Sequence, residues 1–247
     1  MNKTLQNKVA LVTGGGRGIG RAIACRLAED GALVVVHYHG SAAGAEQTIA
    51  AIKERGGDAI AYRADIAQRE QVRTLFASID TTPGRLDIVV NSAGVSAGGS
   101  LAEVDEAQLE WLLGVNLRGP LFVASEAARR LGEGGRIINL SSTLADFPMA
   151  GSGIYSATKV AIQSFTESWA RELGRKGVTV NTVIPGATSP GMMDSAPQGS
   201  RSFFENASPF KRIGRAEEIA AVVAFLASPQ ASWVSGAHIM ANGAANT

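Results

Sequence analysis

Tyr155 and Lys159 stand four residues apart in GIYSATK, within a helix-like run of a chain that has only three tyrosines. On a helix that spacing sets both side chains on one face, near enough for an ammonium to act on a phenol. The pair reads either as an exposed amphipathic edge or as an acid–base device, and its surroundings decide which. A phenol with an ordinary pKa of about 10 is an adequate acid but a poor base near neutrality, and a neighbouring ammonium favours the phenolate and lowers that value. Ser142, thirteen residues earlier at the end of RIINLSS, offers a hydroxyl at the carboxyl end of a predicted strand, able to donate a hydrogen bond to a substrate oxygen. The chemistry these groups suit is carbonyl reduction, in which the oxygen gains a proton as a hydride reaches the carbon.

TGGGRGIG, residues 13 to 20, supplies the place for a hydride donor. It follows an apolar run and opens a helical one. Gly14, Gly18 and Gly20 fall where a Cβ would obstruct a tight turn, a bound pyrophosphate or close helix packing, and with Ile19 they begin a helix whose free N–H groups suit phosphate oxygens. The string lacks the Gly-Lys-Ser/Thr ending of a nucleoside triphosphate loop. The next strand ends Tyr38-His39-Gly40, without the acid that accepts hydrogen bonds from the ribose hydroxyls of NAD. Arg17, with His39 as a second donor beside Tyr38, offers a cation to a 2′-phosphate, which predicts NADP(H) ahead of NAD(H). Asp65, in RADIA, is placed to accept from the adenine amino group, with Ile66 against the ring. Asn91, Ala93 and Gly94 end the fourth predicted strand, the small residues letting backbone approach the cofactor and Asn91 tying neighbouring loops. Lys159 is also placed to hold the nicotinamide ribose.

These groups need a scaffold. KVALVT, LVVVHY, AIAYR, DIVVN, RIINLS, VTVNTVI and AHIMAN alternate with helical stretches, predicted over about 18–29, 41–55 and 68–79 and then in longer segments around WLLGVNLRGPLFVASEAARRL and YSATKVAIQSFTESWARELG. That alternation predicts an α/β Rossmann fold: one domain over residues 1–247, a doubly wound parallel sheet of about seven strands with helices on both faces. Residues 188–215 break the rhythm, rich in Ser, Gly and Pro yet carrying Met192, Met193, Phe203, Phe204 and Phe210. A segment of that composition after a strand is expected to be a substrate loop that closes over a ligand.

Composition narrows the classes. Twenty-two acidic and 23 basic residues leave a net charge of +1, which argues against a nucleic-acid groove or a membrane surface patch. The single cysteine, Cys25, has no disulfide partner in the chain, the longest apolar runs are too short to span a bilayer, and a cytoplasmic location is expected. His37, His39 and His238 form no recognised metal spacing, so no metal is expected.

The motifs TGGGRGIG, NSAG, Asn116, Ser142, YSATK and IPG at residues 184 to 186 run in order through nearly the whole chain. Together they resemble the short-chain dehydrogenase/reductase family in its single-domain form, including its 3-oxoacyl-acyl-carrier-protein reductases and related ketone reductases. The resemblance implies that Tyr155 is the acid/base, with Lys159, Ser142 and Asn116 completing the catalytic set and Asn116 holding a water that links Lys159 to solvent. It also implies that Pro185 and Gly186 line the nicotinamide and that Thr188 bonds its carboxamide. Leu144, Phe147 and Met192 are candidate apolar walls for the substrate. The activity implied is NADP-dependent reduction of a ketone or oxidation of a secondary alcohol, on a small molecule or a carrier-bound acyl group; a sugar or polyol dehydrogenase is an alternative. A non-catalytic dinucleotide sensor is the reading from a different class, and it has no need of Tyr155, Lys159 and Ser142. A homotetramer is expected, paired through apolar helix faces bearing Phe122, Val123, Phe165 and Trp169. Two departures stand out: NSAG, with Ser92, replaces NNAG, and Asn242-Gly243-Ala244 replaces Asp-Gly-Gly, a change expected to alter the C-terminal surface.

Overall fold

Val9–Val12 is buried along its whole length, as a strand must be when helices cover both faces of its sheet. Seven strands, the two at the edges less buried, pair in parallel: β1 (Val9–Val12), β2 (Leu33–Tyr38), β3 (Asp58–Arg63), β4 (Ile88–Asn91), β5 (Arg136–Leu140), β6 (Thr179–Pro185) and β7 (His238–Ala241), in the order β3-β2-β1-β4-β5-β6-β7. The structure is a computed structural model that describes residues 3–195 and 199–245. Its principal helices are α1 (Gly18–Glu29), α2 (Ala42–Glu54), α3 (Arg69–Thr81), α4 (Glu106–Leu113), α5 (Gly119–Arg130), α6 (Thr143–Asp146), α7 (Gly153–Leu173), α8 (Ser200–Ala207) and α9 (Ala216–Ala227).

Strand alternation sorts the core into two layers. Val34, Val36 and Ile138 pack with Ile23 and Leu27 of α1, Ile52 of α2 and Val223 of α9. Val35, Leu11 and Ile137 face the other way, onto Phe76 of α3, Val123 of α5 and Leu173 of α7. Ala10 lies in register between Val34 and Ile88. The chain therefore runs outward through β2 and β3 and returns to β4 on the opposite side of β1. That reversal opens a crevice at the carboxyl ends of β1 and β4, where sheets of this kind bind ligands.

Two expectations change. The helical run around residues 111–131 is two helices joined by a π-helical turn, Gly114–Arg118, and the turn contains Asn116. Val123 is fully buried against the sheet, with Phe122 and Trp169 partly packed into the same core and Phe165 stacked on Trp169 at 5.0 Å. The large apolar side chains that α4, α5 and α7 expose are Trp111, Leu121 and Val160. Asn242, partly exposed, also abuts the end of β6, since a Cβ on Gly186 would come within 2.9 Å of the Asn242 Cα.

Residues 188–215 close on themselves at the base, where Thr188–Ser189 pairs in parallel with Gly214–Arg215. A 3-10 turn, Met192–Ser195, and α8 fill the excursion, whose residues 196–198 lie outside the described set.

After β7 the backbone turns through Gly243 at φ 61° and Ala244 at φ 57°, with the Asn242 side-chain oxygen accepting from the Ala244 N–H at 3.0 Å. A non-glycine residue in the left-handed region costs about 1–2 kcal/mol. Ala244→Gly is therefore expected to raise stability by about 1 kcal/mol, the relief being partly offset by the greater freedom of glycine in the unfolded chain. Urea denaturation of the two proteins at neutral pH checks this, and a lower midpoint for the variant would refute it.

Candidate active site at the carboxyl edge of the sheet

Ser142 follows β5 in extended conformation and caps α6 by accepting the Leu144 N–H at 3.2 Å. Tyr155 and Lys159 occupy the first two turns of α7, and the Ser141 hydroxyl fixes that helix by donating to the Lys159 carbonyl at 2.9 Å. Lys159 Nζ donates to the Leu140 carbonyl at 3.0 Å and stands 5.7 Å from the centroid of the Tyr155 ring. Both side chains are buried, and the Ser142 hydroxyl stands beside the Tyr155 phenol, where its hydrogen bonding favours the phenolate. The pair is thus no exposed edge.

The electrostatics depart from the expectation that the ammonium lowers the phenol pKa. Burial raises the pKa of Tyr155, and the Ser142 hydrogen bond opposes that rise only in part. Lys159 is itself pushed down to about 8 by burial. The physical reason is that desolvation penalises whichever form is charged, the phenolate in one case and the ammonium in the other, while Nζ is directed at the Leu140 carbonyl.

Asn116 reaches the same place from the π-helical turn. Its amide clamps one backbone unit, Oδ1 accepting from Val95 N–H at 2.9 Å and Nδ2 donating to Val95 O at 2.8 Å, and Nδ2 also lies 3.4 Å from Thr158 Oγ1. A Cβ on Gly94 would sit 3.5 Å from both Asn116 Oδ1 and Lys159 Nζ and 3.7 Å from the end of Met192. Gly94, Asn116, Lys159 and Met192 therefore converge.

The glycine string forms the other half of the crevice. Gly14 turns at φ 67° so close to β4's exit that a Cβ would lie 2.9 Å from the Ala93 Cα, and a Cβ on Gly20 would overlap the Gly14 carbonyl oxygen. Arg17 is the exposed N-cap of α1, whose start has neither a side-chain cap nor an acid in its first turn; Ile19 packs on the core behind it. A cradle without side chains beneath an open helix N-terminus fits a pyrophosphate. Gly18 lies against Gly191, so the 188–215 segment leans over the string at its outset. At the end of β2, Tyr38 is half-buried and His39 exposed.

Several assignments shift. Ile66 is buried, and a Cβ on Gly119 would meet its Cδ1 at 2.7 Å, so its side chain backs the site instead of lying on an adenine ring. Asp65 keeps one carboxylate oxygen on the Ala67 N–H at 3.0 Å. Asn91 does not tie loops: Nδ2 donates across the sheet to Asn139 Oδ1 at 2.9 Å, leaving its Oδ1 buried without a hydrogen-bond partner among the described residues. Thr13 does the tying, its Oγ1 accepting the Ser92 and Ala93 N–H groups at 3.0 Å each. Thr188 donates its hydroxyl proton to the Gly186 carbonyl at 2.9 Å, which leaves the oxygen as an acceptor. Leu144 is half-buried, while Phe147 and Met192 are exposed.

Two residues escaped the sequence reading. Arg21 binds Gly16 O at 2.8 Å, Gly44 O at 3.2 Å and Thr48 Oγ1 at 3.1 Å, fastening the glycine string to α2. Arg63 lies beside Tyr38 in register and donates to His39 O at 3.2 Å, bringing another guanidinium to the end of β2. The final arginine of AIAYR carried that signal, but its neighbour is set by strand register.

A cavity of about 360 Å³ borders this site, lined by Thr143, Gly186, Phe204, Phe210, Ile213 and Met240 among others; Tyr155, Lys159, Leu144, Phe147 and Met192 do not line it. Among the described residues, no group of three or more His, Cys, Asp and Glu is placed to hold a metal ion, and no helix is long and apolar enough to cross a membrane.

Comparison with known proteins gives a consistent family. A family model described as enoyl-(acyl carrier protein) reductase matches residues 14–246. The short chain dehydrogenase/reductase nsrJ of Aspergillus novofumigatus is 43% identical over 98% of this chain and 96% of its own. A short chain dehydrogenase from Burkholderia cenocepacia, solved in complex with NADP, superposes with a TM-score of 0.94 at 41% identity, covering 99% of this chain and 100% of that one. The angucycline C-6 ketoreductase LanV with bound NADP gives a TM-score of 0.92 at 38% identity, covering 97% and 96%.

The buried lysine has a measurable consequence. Below about pH 8 Lys159 is charged in both folded and unfolded protein, so its desolvation weakens the fold in full. Between about 8 and the ordinary 10.5 the folded protein has released the proton while the unfolded chain still holds it, and the cost shrinks as pH rises. Lys159→Met, which removes the charge, should thus show its most favourable stability relative to wild type at pH 7 and lose that relative advantage by pH 10. Urea midpoints for both proteins across that range test it, and a difference that stays constant with pH would contradict it.

Proposed function

The chain belongs to the short-chain dehydrogenase/reductase family, and on that premise we propose that it is an NADPH-dependent ketone reductase with Tyr155 as the general acid. The observation that carries this reading is the convergence of Ser142, Tyr155 and Lys159 on one sheet edge with the glycine cradle. When bound, NADPH supplies the hydride to the carbonyl carbon.

The chain's own residues do the rest. Burial keeps the Tyr155 phenol protonated near neutrality, so it holds the proton that the carbonyl oxygen requires. Ser142, beside that phenol, turns its hydroxyl to donate to the same substrate oxygen and fixes the carbonyl within reach. Lys159, with its ammonium at Gly94 and Leu140 O, is placed to hold the nicotinamide ribose and to return a proton to Tyr155. Asn116 holds the Gly94–Val95 backbone in the position that Lys159 faces. Pro185 and Gly186 line the nicotinamide, and the free acceptor of Thr188 Oγ1 suits its carboxamide N–H groups. Arg17, Arg63 and His39 surround the position of a 2′-phosphate, with no acid at Tyr38-His39-Gly40 to repel it. Leu144, Phe147 and Met192 form the apolar walls, and the 188–215 segment is the substrate loop. A sensor reading has no use for a buried, charged lysine beside a phenol.

Reduction of a panel of ketones with NADPH and with NADH tests the reading directly, and cofactor binding without turnover of any ketone would overturn it. Tyr155→Phe should lower kcat by at least about 100-fold, the scale of positioned acid–base catalysis, while the NADPH dissociation constant stays within about twofold. A folded variant that turns over normally would remove Tyr155 from the mechanism. Arg17→Ala should raise the KM for NADPH by about 10-fold or more, since a hydrogen bond to a charged group contributes about 1.5–3 kcal/mol, and should leave the KM for NADH unchanged. Equal losses with the two cofactors would show that Arg17 does not read the 2′-phosphate.

A further inference from the structure

His37 ends the hydrophobic run of β2 one residue before Tyr38, and its ring is only 2% exposed. Nε2 lies 3.0 Å from the Ala64 carbonyl, which can only accept, so Nε2 carries the proton. Nδ1 is therefore bare, and it accepts the N–H of Gly14 at 3.2 Å. The backbone carbonyl of the same residue accepts the N–H of Gly15 at 3.0 Å. Two successive amides of the glycine string thus end on one residue of the neighbouring strand, leaving the amides at the start of α1 for a phosphate.

We infer that His37 is a positioning residue for the dinucleotide: its neutral, Nε2-protonated ring holds Gly14 in the left-handed turn that shapes the pyrophosphate cradle. The inference rests on the NADPH reading above. A protonated ring would set a second N–H against that of Gly14, donor facing donor, and the turn would lose its anchor. Burial makes this form costly, lowering the ring's pKa to about 4; of the titratable groups acting on it, His39 on the same strand lowers it further and Asp65, beyond β3, opposes that. The anchor is thus intact at neutral pH and weakens only as pH falls toward that value.

Two variants divide the ring's functions. In His37→Asn, Oδ1 takes the place of Nδ1 and keeps the acceptor for Gly14 while giving up Ala64. In His37→Gln, the longer amide reaches Ala64 but leaves Gly14 without its acceptor. Isothermal titration with acid-stable NADP⁺ at pH 7.5 should give His37→Asn a dissociation constant within about twofold of wild type and His37→Gln one at least about fivefold weaker, the scale of one lost hydrogen bond. The kcat at saturating NADPH should stay within about twofold in both. As pH falls from 6 to 4.5, wild type should lose affinity relative to His37→Asn, because the amide does not titrate. Nitrogen-15 spectra of the wild-type imidazole, which depend on no variant's folding, should show the Nε2–H tautomer at pH 7. A Gln variant that binds like wild type, or an Nδ1–H tautomer, would overturn the role of His37 alone. Failure of wild type to bind either dinucleotide would overturn the cofactor reading as well.

Discussion

The constraint on which the site depends is the approach of Gly14 to Ala93, where the exits of β1 and β4 leave no room for a Cβ. It follows from topology. A parallel sheet sends all its strands out of one edge, and the reversal from β3 to β4 makes β1 and β4 the neighbours from which the chain departs in opposite directions. The first loop must then turn beneath the second within the thickness of a backbone. Thr13 holds the two together through paired amides, and Arg21 fastens the far side of the string to α2. The open amides of α1 and the small residues at Ala93 and Gly94 stand where they do because that turn is so tight.

A second, polar constraint sets the other half of the site. Asn91 donates to Asn139, Asn139 to Thr166 at 2.8 Å, and Thr166 meets Thr182 at 2.6 Å, so one buried chain of hydrogen bonds crosses β4, β5 and β6 and reaches α7. Polar groups enclosed this completely favour the arrangement in which they pair, since a slip would strand Asn139 and Thr166 beside the already unpaired Asn91 Oδ1. With Ser141 on the Lys159 carbonyl, the chain fixes both the height and the rotation of α7. Tyr155 and Lys159 are consequently presented to Ser142 by the sheet itself, and their burial follows from their position on the inner face. Desolvation then moves both groups toward their neutral forms. A protonated phenol beside a lysine that has become easier to deprotonate is suited to giving up a proton and recovering it.

The sequence by itself determined the parallel α/β architecture, because its short apolar runs can be buried only between two layers of helices, and it marked the chemistry through the ordered spacing of TGGGRGIG, Ser142 and YSATK. Tertiary structure alone decided which neighbours those residues meet. Ile66 and Val123 were apolar in the sequence whichever way they faced, and both turned to the core. Asn91 carries the same amide whether it binds a loop or a strand; the register that places it opposite Asn139 chose the strand. His37, weighed only as a metal ligand, and Arg63 kept their roles hidden because their partners, Gly14 and His39, come from other segments. The phenol's environment was hidden for a related reason. Spacing along one helix places an ammonium near a ring, but the balance between that charge and desolvation depends on everything packed around both, and no local pattern carries that information.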